Sequence, residues 1–196
     1  SQDEKSHSSQ LSIFIRDLLG ESNHEAHELD AVAVSMGPGS YTGLRIGVST
    51  AKGIAYGSNI PLIGIGTLDI LVSGALQNNE VGKILEQHRS ALLCPMLDAR
   101  RMEVYTCMFS SDGSKMEDVK ALIVDEKSFQ KELSKTPVIF FGNGAKKSME
   151  KIKHSNVIFI DGISPLAGFM VPLAEKSWED NKFENLAYFE PYYLKD

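Results

Sequence analysis

Four groups of residues in this chain have side chains or spacing that could do chemistry: a glycine turn at Gly37-Pro38-Gly39-Ser40, a second at Gly142-Asn143-Gly144, Asp98, and a scatter of five histidines and two cysteines. The first turn is the most informative. Gly37 and Gly39 can take positive φ, Pro38 fixes one φ between them, and Ser40 stands where an N-cap hydroxyl satisfies the first amides of a helix. Amides gathered at a helix start favour an anion, so Gly37, Pro38, Gly39 and Ser40 form a candidate phosphate-facing loop. Tight packing of strand against helix accounts for the same residues. The Lys and Ser or Thr of a P-loop are missing, as is the third glycine of a dinucleotide fingerprint.

Asp98 lies between two apolar runs, Ala91 to Leu97 and Met102 to Phe109, in a hairpin turn with Ala99, Arg100 and Arg101. An aspartate there can hold magnesium or a water in a phosphotransferase, and it can equally bond its own backbone. His7, His24, His27, His88 and His154 include no pair at helical i, i+4 spacing, and no metal site is expected. Cys94 and Cys107 sit in apolar, strand-like runs and read as buried, reduced thiols. Neither a nucleophile elbow nor Ser-x-x-Lys occurs in a convincing setting, so no catalytic constellation is expected.

The net charge of −6 argues against a chain that grips nucleic acid unaided, since counterion release needs a basic face. The basic clusters Arg100-Arg101 and Lys146-Lys147 are each too small to make a groove, so an RNA role requires a partner to supply positive surface. With 196 residues and 42% apolar composition the chain can build a substantial core. No run approaches the roughly 18 consecutive apolar residues of a membrane helix, and the opening Ser1-Gln2-Asp3-Glu4-Lys5 does not read as a secretory leader. The cytosol is the expected compartment.

The elements that must position these residues follow from periodicity. His7 to Leu19 carries Leu11, Phe14, Ile15 and Leu18 on one helical face. Asp30 to Ser35 reads as a buried strand, Ser40 to Tyr56 as a helix, Pro61 to Ile65 as a second strand, and Thr67 caps a helix to Leu76; the alternation implies a parallel α/β sheet. Asn78 to His88 is polar and reads as a link. The hairpin around Asp98 follows, then a strand at Val119 to Val124, a short helix capped by Asp125 and ending near Leu133, a strand at Pro137 to Phe141, a helix over Ala145 to Lys153, a strand at Val157 to Ile160 and a long helix from Pro165 to Trp178 interrupted by Pro172. Two strand, Gly-x-Gly, helix units are present, at Ala31 to Lys52 and Val138 to Lys151, which points to an internal duplication with lobes at 1–90 and 91–196. The first lobe lacks the opening hairpin of the second, so either the sequence is truncated or those strands come from elsewhere.

In the helix after Ser40, Gly43, Gly47, Ala51 and Ala55 recur every four residues beside Leu44 and Val48. Such a bare ridge admits close approach of another helix. Packing on the chain's own sheet is one explanation; docking onto another subunit, together with Leu11, Phe14, Ile15 and Leu18, is the other.

The residues from Ala31 to Gly53, with Pro61-Leu62-Ile63-Gly64, Thr67-Leu68, Asp98-Ala99-Arg100 and Glu103-Val104-Tyr105, resemble the TsaB (YeaZ) family across nearly the whole chain. The resemblance implies an actin-like (ASKHA, ribonuclease H-like) two-lobed α/β fold with duplicated lobes, preceded in the family by a strand and an Asp- or Glu-Thr-Ser turn. It implies a non-catalytic scaffold for N6-threonylcarbamoylation of adenosine 37 in tRNAs reading codons that begin with A, acting through the TsaD paralogue, a transferase, and the TsaE ATPase. It further implies a homodimer when the protein is alone, tRNA contact only through the complex, and no cofactor of its own, ATP or ADP entering only in the assembly. The metal-binding His-x-x-x-His of the paralogue is matched by Thr67 and Leu71, which cannot hold a metal as imidazoles do. The rival reading is an actin-like, ATP-dependent phosphotransferase using magnesium at Asp98 and the glycine turns.

Overall fold

A computed structural model describes the backbone of residues 2–194 and the side chains of residues 10–194. The chain forms two compact units, one of residues 1–66 with 174–193 and one of residues 67–173 with 194–196.

The first unit opens with helix α1, Gln2–Glu21, and a 3-10 turn at Ala26–Glu28 closed by a capping box between Glu25 and Glu28. Strand β1, Val32–Gly37, leads through the first glycine turn into helix α2, Tyr41–Ser58. Ser40 is the N-cap expected from sequence, its hydroxyl accepting from the Gly43 amide at 3.4 Å. Asn59 ends α2 in the left-handed region at φ 56°, and its N–H bonds back to Tyr56. Strand β2, Leu62–Gly66, pairs parallel to β1 from Val32 with Leu62 through Gly37 with Gly66. Val48, Ala51 and Ala55 of α2 pack with Leu62, and Phe189 from the far end of the sequence completes this small core.

The tail after Glu179 is irregular, yet it is pinned along its length. The Glu184 amide donates to the Leu62 carbonyl at 2.8 Å, and the Tyr192 amide to the Met36 carbonyl at 2.7 Å. Between them Lys52 Nζ donates to the Phe189 carbonyl at 2.9 Å.

The second unit begins with helix α3, Thr67–Leu76, almost wholly buried. Asn78 to His88, read from sequence as a polar link, is helix α4, Asn79–Gln87. Asn78 caps it by accepting from Glu80 and Val81, and Val81, Ile84 and Leu85 form its inward stripe. Five strands follow in the sheet order β5-β4-β3-β6-β7: β3 Leu92–Asp98, β4 Glu103–Thr106, β5 Lys120–Ile123, β6 Val138–Phe141 and β7 Val157–Ile160. The first three form the antiparallel meander expected around Asp98, and β3, β6 and β7 are parallel.

Three helices are displaced from expectation. Asp125 caps a tight turn, accepting from the Lys127 amide and the Ser128 hydroxyl, so α5 is only Gln130–Leu133. α6 is Ala145–Ser148 and stops well short of Lys153. The long helix from Pro165 is a 3-10 turn, Ala167–Met170, followed by α7, Val171–Glu179. Pro172 falls in the first turn of α7, where its missing N–H breaks no bond. The compact units also divide the chain differently from the halves expected at 1–90 and 91–196: Leu68, Leu71, Val72 and Ala75 of α3 pack with Leu93, Phe109 and Ile139 of the second unit.

Candidate functional site

In the first unit, α1 lies against α2. The heptad face splits by depth. Leu11 and Ile15, with Leu19, are half-buried, whereas Phe14 and Leu18 are 61% and 65% exposed, joined by Ile13 at 44%. Between the helices runs a groove of about 480 Å³, with Ile15, Leu19 and Ile54 as apolar lining and Thr50, His24 and Glu25 among its polar residues. His24 and His27 are exposed and sit near Glu28 and Glu25 at 3.9 and 3.3 Å; the side chain of His7 lies outside the described residues. Among the described residues no group of three or more His, Cys, Asp or Glu could hold a metal ion.

The ridge on α2 divides in the same way. Gly43 is exposed, Gly47 sits 3.8 Å from Val34 as measured from an ideal Cβ, and Ala51 and Ala55 are buried with Leu44 and Val48. The latter four are used by the chain's own packing. The outward face of α2 carries instead Tyr41, Arg45, Ser49, Gly53 and Tyr56, and an ideal Cβ on Gly53 or Gly57 would meet nothing within 4 Å.

At the first glycine turn Pro38 is buried and Gly39 and Ser40 are exposed. Gly37 takes φ 113°, and an ideal Cβ there would lie 2.7 Å from the Tyr192 carbonyl oxygen. Only glycine satisfies both demands. The tail thus places a carbonyl acceptor against this end of the loop. Beside it the Tyr41 and Tyr193 rings lie 5.0 Å apart, and the Arg45 guanidinium sits 4.8 Å over the Tyr41 ring. No sequence signal linked Tyr41 to the tail, because the contact depends on where an irregular segment passes.

The second glycine turn closes on β3. Gly142 takes φ 94° with the Met96 carbonyl where its Cβ would be. The Gly144 amide donates to that carbonyl at 2.9 Å, and Asn143 Oδ1 accepts from the Asp98 amide at 2.9 Å. Asp98 itself is engaged: its carboxylate accepts from the Arg100 amide at 2.8 Å and pairs with Lys147 Nζ. The bond from Lys147, helped by that from Arg100 and opposed by partial burial, holds the Asp98 carboxyl below the usual range. Lys147 was the partner sequence reading missed; its position one helical turn past Gly144 was the available signal.

Cys94 and Cys107 are buried and free. They belong to different cores, Cys94 packing with Phe140 and Cys107 with Phe109. Burial pushes both thiols up to about 12.

Against known proteins, the family model described as TsaD: tRNA N6-adenosine threonylcarbamoyltransferase matches residues 1–163. The tRNA threonylcarbamoyladenosine biosynthesis protein TsaB of Escherichia coli (strain K12) is 31% identical over 201 residues, covering 98% of this chain and 82% of that protein. The chain belongs to the TsaB (YeaZ) family. A tRNA N6-adenosine threonylcarbamoyltransferase from Ligilactobacillus salivarius (strain UCC118) is 47% identical over 57 residues, 29% of this chain and 17% of that enzyme, so this TsaB-family chain also shares a segment with the transferases. A crystal structure from Pseudomonas aeruginosa, of a protein described as similar to peptidase YEAZ, superposes with a TM-score of 0.80 at 22% identity, covering 96% of this chain and 84% of that one. The fold is therefore α/β of the actin-like type. No helix among the described residues is long and apolar enough to cross a membrane.

Proposed function

We propose that this chain is a non-catalytic subunit of the machinery that makes N6-threonylcarbamoyladenosine at position 37 of tRNAs reading ANN codons, and that it acts by binding and activating a TsaD-type transferase. The observation that carries this reading is the 31% identity to a TsaB protein over 98% of the chain. Phe14 and Leu18, large apolar side chains left in solvent on α1, supply a place for a partner to bury them. The partner surface comprises Leu11, Phe14, Ile15 and Leu18 of α1 with Gly43 and Gly47 of α2; Leu44, Val48, Ala51 and Ala55 support it from behind. The same surface accounts for a homodimer when the chain is alone. A TsaE-type ATPase joins the assembly, tRNA enters through the complex, and the setting is the cytoplasm.

The two strand, glycine turn, helix units are the halves of a duplicated actin-like architecture, 1–90 and 91–196. No cofactor is assigned to the chain alone; the loop Gly37-Pro38-Gly39-Ser40 would meet ATP or ADP only in the assembly. The phosphotransferase alternative is weakened by the Lys147 ammonium already seated on Asp98. Reconstitution tests the reading: tRNA modification should require this chain and the transferase together, and Phe14→Glu/Leu18→Glu should abolish co-purification with unchanged folding. Transfer of the threonylcarbamoyl group by this chain alone, or activity of the transferase undiminished in its absence, would overturn it.

A further inference from the structure

Two basic pairs that are negligible in sequence, Arg100-Arg101 and Lys146-Lys147, meet in the second unit. Lys147 Nζ donates to the carbonyl oxygens of Arg101 at 2.8 Å and Glu103 at 2.6 Å. Arg100 and Arg101 are both exposed and hold left-handed backbone, φ 71° and 48°, a conformation that favours glycine or asparagine over arginine. The turn is nonetheless fixed from every side. Ala99 donates to the Glu103 carbonyl at 3.0 Å and Glu103 to the Arg100 carbonyl at 3.1 Å, while Asp98 holds the Arg100 amide and Asn143 holds Asp98. Strain kept in place by so many bonds marks a geometry that is needed.

What this geometry displays is charge. The Asp98 carboxylate is matched by Lys147, so it neutralises neither arginine. Arg100, Arg101 and the exposed Lys146 enter no ion pair among the described residues. Two adjacent guanidiniums, and an ammonium next in sequence to the lysine that holds their turn, are thereby left out of ion pairs on a chain whose net charge is −6. Adjacent guanidinium forks suit phosphate oxygens, and a rigid turn presents them with little ordering cost on binding.

We propose that Arg100, Arg101 and Lys146 form a contact for the phosphodiester backbone of tRNA within the assembly, which rests on the reading that the chain works on tRNA with a transferase. Phosphate contacts of this kind set position and salt dependence without reading sequence. An acidic protein surface is the competing occupant.

The test uses the full chain assembled with its transferase and a transcript of a tRNA that reads an ANN codon. Arg100→Gly/Arg101→Gly/Lys146→Ala removes the charges while suiting the left-handed backbone, so thermal unfolding should be unchanged or shifted upward. Affinity for the transcript should fall by roughly tenfold or more, and the slope of log affinity against log salt should flatten by about 2 to 3. Arg100→Lys/Arg101→Lys should restore most of the slope. A folded triple variant whose complex keeps both the affinity and the slope of the wild type overturns the proposal and leaves the functional reading intact. Loss of the transferase from the complex with the variant overturns it in favour of a protein contact. A wild-type complex that neither binds nor modifies the transcript overturns both.

Discussion

Lys147 is the residue on which the second unit's hairpin turn hangs, because its ammonium serves one carboxylate and two carbonyl oxygens at once. Replacing it by Met leaves those acceptors without their donor and should destabilise the protein by about 1–2 kcal/mol at neutral pH, measured by denaturant unfolding. The pH dependence has a definite sign. Asp98 has a native pKa lowered from its ordinary 3.8, chiefly by Lys147, so the pair stabilises fully above 3.8 and its contribution disappears as pH falls through the lower native value. The stability gap between wild type and Lys147→Met should therefore be constant from neutral pH down to the ordinary carboxylate range and shrink below it. A gap that instead widened on acidification would show that the pair does not act through the carboxylate. The cysteines give a second check at this scale: with both thiols raised to about 12 by burial, reaction with a thiol reagent should proceed only at the rate of unfolding, and oxidant should form no intramolecular disulfide.

At the scale of elements, the two helices of the first unit separate packing from docking. Ala51 is 5% exposed, so Ala51→Leu should overpack the α2 interface with its sheet and cost about 1–3 kcal/mol in unfolding experiments. Gly53 meets nothing within 4 Å, so Gly53→Ala should stabilise the isolated chain by about 0.5–1 kcal/mol. Gly53→Trp should likewise leave folding intact, since the added side chain enters open space. Most element types were legible in advance, since alternating strand and helix periods with their caps, such as Ser40, are local signals. The bare ridge was legible only in part. A four-residue step advances about 40° around a helix, so Gly43 and Ala55 end up roughly 120° apart; the stripe begins in solvent and winds into the core. α4 was hidden by its polar composition although Asn78, Val81, Ile84 and Leu85 carried the pattern. The engagement of Asp98 by Lys147, and of Gly37 by Tyr192, could not be read from spacing because each depends on two segments distant in sequence.

For the whole molecule, the feature of most consequence is that the first unit is not contiguous. Its core of Val48, Ala51, Ala55 and Leu62 is completed by Phe189, which is 8% exposed. Phe189→Ala should cost about 3–5 kcal/mol, a large loss for so small a core, and should expose the β1 and β2 segment to protease sooner than the second unit. The same layout orders events during synthesis. A nascent chain can emerge, pair β1 with β2 and assemble the five-stranded sheet, yet the core under α2 cannot close until the ribosome has translated Phe189 and Tyr192 and let them clear the exit tunnel. The first unit thus matures after the second, and the surface on α2 becomes fully supported only once that tail has been made.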